Sequence, residues 1–260
     1  MKLIFKSKIL IYLLLIGFCI ILFSSLAYIF EKREEILNIT KNTLTVKNYT
    51  VIKKNQHELA KDILNGGYIL LFRHAEREKW LDVQKYDSIE LLDNLKGEKE
   101  YFSKAVCLNS RGLVQAKAMG SIIEKIDLPY HIVVTSPSCR ARQTANLAFN
   151  GYDYVKNVFL HYGPFHEDKK ELWQSVKNEI IKIKIKKDSN IIISAHNGVI
   201  TSMDMFDRID SESDYSNNIG KVMKEGGFIV MKNENNKLIF IDVFETFHKF
   251  QRNLILRPKN

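Results

Sequence analysis

The 260-residue sequence predicts a three-layer α/β/α sandwich with a mostly parallel central sheet, preceded by an N-terminal transmembrane helix. Three observations lead there. Continuous apolar runs bounded by turn residues, GGYILLFRH from residue 66, HIVVTS from 131 and NIIISAH from 190, read as strands buried on both faces. Segments with helical spacing stand between them, and strand alternating with helix is the pattern of a sheet covered on both sides. Ahead of these, residues 9–30 carry 22 positions without a charge. At about 1.5 Å per residue that length crosses a bilayer.

The elements follow in order. Lys2, Lys6 and Lys8 form a basic leader, residues 1–8, before the anchor at 9–30. The positive-inside bias then places the N-terminus in the cytoplasm. The expectation is a single-pass inner-membrane protein with its catalytic domain in the periplasm or outside. A cleaved signal peptide is the competing reading, but its apolar region is normally shorter. After the Ser25-Leu26-Ala27 cleavage candidate, Tyr28-Ile29-Phe30 continues the apolar run. Residues 31–60 are polar and read as a neck, with the domain at 61–260.

Within the domain, Ser110 is the expected N-cap of a helix that puts Leu113, Ala116, Met119 or Gly120 and Ile123 on one face. A second helix runs from Arg140 to Phe149. A third, EDKKELWQSVKNEI, has acids in its first turn and Leu172, Val176 and Ile180 at helical spacing. The alternating KIKIKKD leaves its end open. FIVM and KLIFIDVF, joined by the Asn-rich NENNK, form a strand pair. Residues 77–108 lack strong periodicity and read as an insertion over one end of the sheet.

Composition excludes several classes. With 45% hydrophobic and 27% charged residues and four prolines, the chain is neither disordered nor fibrous. Thirty-nine basic against thirty acidic residues give +9, which by itself is weak evidence for any partner. Nucleic acid is not expected, because zinc-finger spacing, an RNP-like motif and an aromatic-interleaved basic patch are all missing. Cys19, Cys107 and Cys139 show no metal-site spacing and no disulfide framework. A Cys107–Cys139 bridge stays open, with Cys139 read first as a small buried hydrophobe.

The unusual residues sit at strand ends. The first strand ends in Arg73-His74, the second in Thr135-Ser136-Pro137 just before Arg140, and the third in Ser194-Ala195-His196. Ligand sites in parallel sheets gather beyond the carboxyl ends of strands. Arginines grip a phosphoryl group through planar forks. A neutral histidine can attack phosphorus, while a second donates to an oxygen as charge develops. Such chemistry requires no metal or cofactor. Taken singly, each arginine reads as an ordinary ion-pair residue and each histidine as a satisfied strand end; Arg142 is expected to face solvent or a helix pair.

Four segments in order then resemble one family. RHAE, LNSRGLVQAKAMG at 108–120, SPSCRARQTA and SAHNG resemble the motifs of the histidine phosphatase superfamily, the phosphoglycerate mutase-like group of branch-one type, over roughly residues 66–245. Asn109 stands where that family commonly has Thr. The resemblance implies His74 as the phosphorylated nucleophile, Arg73 and Arg140 as phosphate ligands, and His196 as the second pocket histidine. It also implies an acid between the Arg140 segment and His196, because a leaving oxygen needs a proton. Glu167 is the first candidate and Asp168 the second, with Asp168 and Glu76 also candidates for substrate contact. Glu76 has the alternatives of orienting its loop or pairing with Arg77. His161 and His166 read equally as anion contacts or solvated loop residues.

The expected activity is a metal-independent phosphomonoester hydrolase of the histidine acid type, working through a phosphohistidine. Its expected substrate is an extracytoplasmic phosphorylated sugar, envelope glycan or metabolite, and its expected membrane contact is through 9–30. A phosphohistidine-protein phosphatase or a phosphomutase is one alternative. A noncatalytic phosphate-ligand or envelope scaffold protein is the other.

Overall fold

A computed structural model of the chain describes residues 55–79, 86–88, 106–160, 169–200, 202–211, 215 and 219–255. These lie within the unit Lys53–Asn260. Its helices are α1 (Gln56–Ile63), α2 (Ser110–Lys125), α3 (Cys139–Ala148), α4 (Lys169–Lys182), α5 (Ile219–Val222) and α6 (Phe247–Ile255). Its strands are β1 (Ile69–Arg73), β2 (Tyr130–Thr135), β3 (Tyr154–Val155), β4 (Asn190–Ala195), β5 (Arg208–Ile209), β6 (Phe228–Glu234) and β7 (Lys237–Phe244).

The strands form one sheet in the order β3-β2-β4-β1-β6-β7-β5. β1, β2, β3 and β4 are mutually parallel, and β6 runs antiparallel to both its neighbours. Side chains alternate across each strand, so a strand buried on both faces feeds two cores. Ile69 and Leu71 enter one core with Leu172, Val176 and Ile180 of α4. Leu70 and Phe72 enter the other, with Met119 and Ile123 of α2, Ala145 of α3, and Phe247 and Phe250 of α6. This is why these strands read as unbroken apolar runs rather than as alternating ones.

Several expected elements move by a residue or more. Asn109, not Ser110, caps α2: its side-chain oxygen accepts from the Gly112 N–H at 2.7 Å. The hairpin between β6 and β7 turns on Asn235 and Asn236, both at positive φ (54° and 62°). That is the type I′ geometry which matches strand twist and which asparagine tolerates. α1 crosses the position where the neck was expected to give way to the domain. It is tied down by Leu59, Ala60 and Ile63 in the second core. Buried Asn190 adds to this, donating to the Ile63 carbonyl at 2.8 Å and accepting from the Tyr68 N–H at 3.1 Å.

The transmembrane part of the expected architecture is corrected. Among the described residues no helix is long and apolar enough to cross a membrane. The longest, α2, has 16 residues and buries only one face. Its buried residues Gly112, Ala116, Met119 and Ile123 recur every three or four positions because the core covers one side and water the other. Residues 9–30 lie outside the described residues. The fold of the described residues is the sandwich, and the membrane contact, signal-anchor and inner-membrane location built on residues 9–30 are withdrawn.

Candidate active site

The site is assembled by sheet register. β4 lies between β1 and β2, with Ser194 opposite both Phe72 and Thr135. The ladder extends one residue beyond the strands, as the His74 N–H donates to the Ala195 carbonyl at 3.0 Å and the Ser136 N–H to that of Ser194 at 2.9 Å. His74, Ser136 and His196 therefore emerge side by side at the carboxyl edge. α3 begins three residues after Ser136 and carries Arg140 into the same space. The expected juxtaposition of two histidines and two arginines is present.

His74 is 4% exposed, and its ring lies 5.2 Å from that of His196, centroid to centroid. Its Nδ1 is 2.7 Å from the Ala75 carbonyl, which can only accept. Nδ1 therefore bears the proton, and Nε2 keeps its lone pair. Burial pushes the His74 pKa well below the ordinary histidine value, and the nearby Arg140 charge pushes it further down, with Arg73 and Arg77 adding to it. A neutral imidazole with one nitrogen committed to the backbone is a nucleophile at the other.

His196 has its tautomer set by the opposite logic. A terminal nitrogen of Arg140 lies 3.3 Å from its Nδ1, and a guanidinium only donates, so Nδ1 accepts. Nε2 then carries the proton, 2.9 Å from the Ser136 hydroxyl and 3.2 Å from that of Ser138. Ser138 occupies the N-cap of α3, yet its side chain makes no capping bond. Its hydroxyl serves His196 instead.

Arg140 is 1% exposed and forms a two-pronged pair with Asp87 at 2.7 and 2.8 Å; the Asp87 carboxylate has no exposure at all. Arg73 is held by the Met223 carbonyl at 2.9 Å and by Glu225. Burial lowers the pKa values of Arg73 and Arg77 from the ordinary arginine value, with Arg140 contributing to each decrease. Like charges crowded in this way mark a seat for an anion. Among the described residues no group of acids, histidines or cysteines has the arrangement of a metal site.

The rest of the SPSCRARQTA segment pins the loops around this seat. Thr144 accepts from the Ala75 N–H at 3.0 Å, just after the candidate nucleophile. Gln143 accepts from the Leu108 N–H at 2.8 Å, and Ser194 donates to the Ala141 carbonyl at 2.8 Å. Cys139 is disulfide-bonded to Cys107, so the bridge left open in the sequence is formed. Gly112 is required by contact: a Cβ there would lie 1.9 Å from the Glu76 carbonyl oxygen.

Other candidates are placed differently. The Glu76 carboxylate meets Asn109 and Arg111 on the side of α2. Arg142, expected at the surface, is buried, with Nε donating to the Pro137 carbonyl at 3.0 Å. Glu167, Asp168, His161 and His166 lie outside the described residues. Asp87, Glu225, Ser136 and Ser138 were missed as site residues. The serines flank the motif proline and were legible from their position at the strand end. The two acids had no local signal.

Residues 69–161 match the family model for the histidine phosphatase superfamily (branch 1). No curated protein matches the sequence. Solved structures similar to this chain include the protein histidine phosphatase SixA complexed with tungstate, 12% identical at TM-score 0.43, covering 68% of this chain and 96% of that one. Another is open reading frame Rv3214 from Mycobacterium tuberculosis, 15% identical at TM-score 0.42 with 69% and 97% coverage. A third is a phosphoserine phosphatase mutant from Entamoeba histolytica in complex with phosphoserine, 11% identical at TM-score 0.40 with 68% and 95% coverage.

Proposed function

We propose that this chain, whose residues 69–161 match the family model for the histidine phosphatase superfamily (branch 1), hydrolyses a phosphomonoester of a sugar, glycan or small metabolite, with His74 as the nucleophile. The superfamily's chemistry is phosphatase or mutase-type transfer through a phosphohistidine. The observation that supports His74 most directly is its Nδ1 contact with the Ala75 carbonyl at 2.7 Å, which leaves Nε2 as the nucleophilic nitrogen beside Arg140 and His196.

In the first step Nε2 of His74 forms a bond to phosphorus as the bond from phosphorus to the leaving oxygen breaks. Arg73 and Arg140 hold the equatorial oxygens, and His196 donates from Nε2 as their charge changes. The departing oxygen takes a proton from a carboxylic acid, a role assigned to Glu167 from the sequence. In the second step water attacks phosphorus while the carboxylate takes a proton from it and is restored to the acid, the P–N bond breaks, and inorganic phosphate and neutral His74 are regenerated.

The test is a phosphomonoester panel run on the full chain and on His74→Ala, with acid-labile, alkali-stable phosphate sought on the protein. Wild type should release phosphate and carry label on His74, and His74→Ala should lose at least about a thousandfold in kcat. Undiminished phosphate release by His74→Ala would sink the mechanism.

A further inference from the structure

Arg140 is occupied on its whole terminal edge. One terminal nitrogen donates to Asp87 at 2.7 Å and to the Val106 carbonyl at 3.4 Å. The other donates to Asp87 at 2.8 Å and lies 3.3 Å from Nδ1 of His196. Nε is buried and has no hydrogen-bond partner among the described residues. A phosphoryl group engaging the terminal edge end-on would need the same two N–H groups that the Asp87 carboxylate holds. A carboxylate and a phosphoryl group are both planar-fork acceptors with negative charge, and in a buried site the two repel strongly. They cannot both hold the terminal edge of one guanidinium.

We infer that Asp87 is an internal competitor of the phosphoryl group: its carboxylate holds the Arg140 fork in the free protein, yields it to substrate, and reclaims it to expel inorganic phosphate. The inference rests on the phosphatase reading for its catalytic consequence but not for its binding consequence. Without such a competitor, Arg73, Arg77 and Arg140 around one anion would retain the product. Asp87 thus sets how long phosphate stays, without touching the bond that breaks.

The experiment measures binding of inorganic phosphate to the full chain by calorimetry, alongside kcat and KM for a phosphomonoester, in wild type and Asp87→Asn. The variant should bind phosphate at least about tenfold more tightly, a change of about 1.4 kcal/mol, with kcat and KM falling together as product release slows. A residue that merely supports Arg140 would give the reverse, so weaker or unchanged phosphate binding in Asp87→Asn overturns the inference. Should that variant fold only in phosphate, wild type carries the test. The 13C carboxyl resonance of Asp87, identified by its displacement in Asp87→Glu, should move on saturation with phosphate, and an unmoved resonance overturns the idea. Phosphate binding without turnover on any phosphomonoester would sink the hydrolase reading alone, because the binding comparison still decides the role of Asp87.

Discussion

The two arginines of the site are each matched by a carboxylate, but in opposite surroundings. In the Arg140–Asp87 pair the side chains are 1% and 0% exposed, whereas in Arg73–Glu225 they are 19% and 32% exposed. A buried pair is stable only while both charges are present, since either alone is stranded away from water. A partly solvated pair exchanges its partner for water at little loss. The Arg140 side is therefore the part of the site where charge, stability and ligand binding are coupled. On the Arg73 side stability depends little on the ion pair.

The largest break in that comparison is Arg140→Ala, which removes the two-pronged partner of the buried Asp87 carboxylate and should lower stability by about 3–5 kcal/mol in urea unfolding. Arg73→Ala in the same experiment should lower it by no more than about 1 kcal/mol. Equal losses would mean that the two pairs do not differ as their burial indicates. Reducing the Cys107–Cys139 bond should come next. It opens a loop across 32 residues that ends beside Arg140, worth roughly 3–4 kcal/mol in the chain-entropy description. Thermal melts with and without reductant, with Cys107→Ser/Cys139→Ser as the second arm, measure it; coincident melts would remove the disulfide from the account.

The smallest effect is the pH slope of His74. Its folded pKa lies below the unfolded value of about 6.5, so the unfolded chain takes up a proton first as pH falls. Stability should be full above that value and decline by about 1.4 kcal/mol per pH unit below it, until the folded pKa is reached. The difference between wild type and His74→Gln, followed by denaturation from pH 8 to pH 5, isolates the slope. Parallel curves would contradict the burial-driven shift.

Much of the carboxyl edge was legible because it is written in contiguous residues. An apolar run followed by Arg73-His74, another by Ser136-Pro137, and another by His196 each report a strand end, and parallel strands place their ends together. Leu172, Val176 and Ile180 reported the core face of α4 in the same way. The short edge strands β3 and β5 have two residues each, too few for a period-2 pattern to register. α6 also went unread, since nine residues carrying two bases and no acid acquire their meaning only from the aromatic cluster that Phe247 and Phe250 join. The transmembrane reading of residues 9–30 rested on their charge-free apolar length behind a basic leader; they lie outside the described residues, and among those no helix is long and apolar enough to cross a membrane.

By itself the sequence determined the parallel core, the carboxyl edge and the strand-end positions of both histidines, because hydrophobic period and strand termination are local properties of the chain. Only the tertiary structure decided what neutralises the arginines and what binds the site shut. Asp87 meets Arg140 across 53 residues, Glu225 meets Arg73 across 152, and Cys107 meets Cys139 across 32. A lone acid in a polar stretch carries no sign of its partner. Burial supplies that sign, since a charge taken from water must find its opposite, and the fold brought these together.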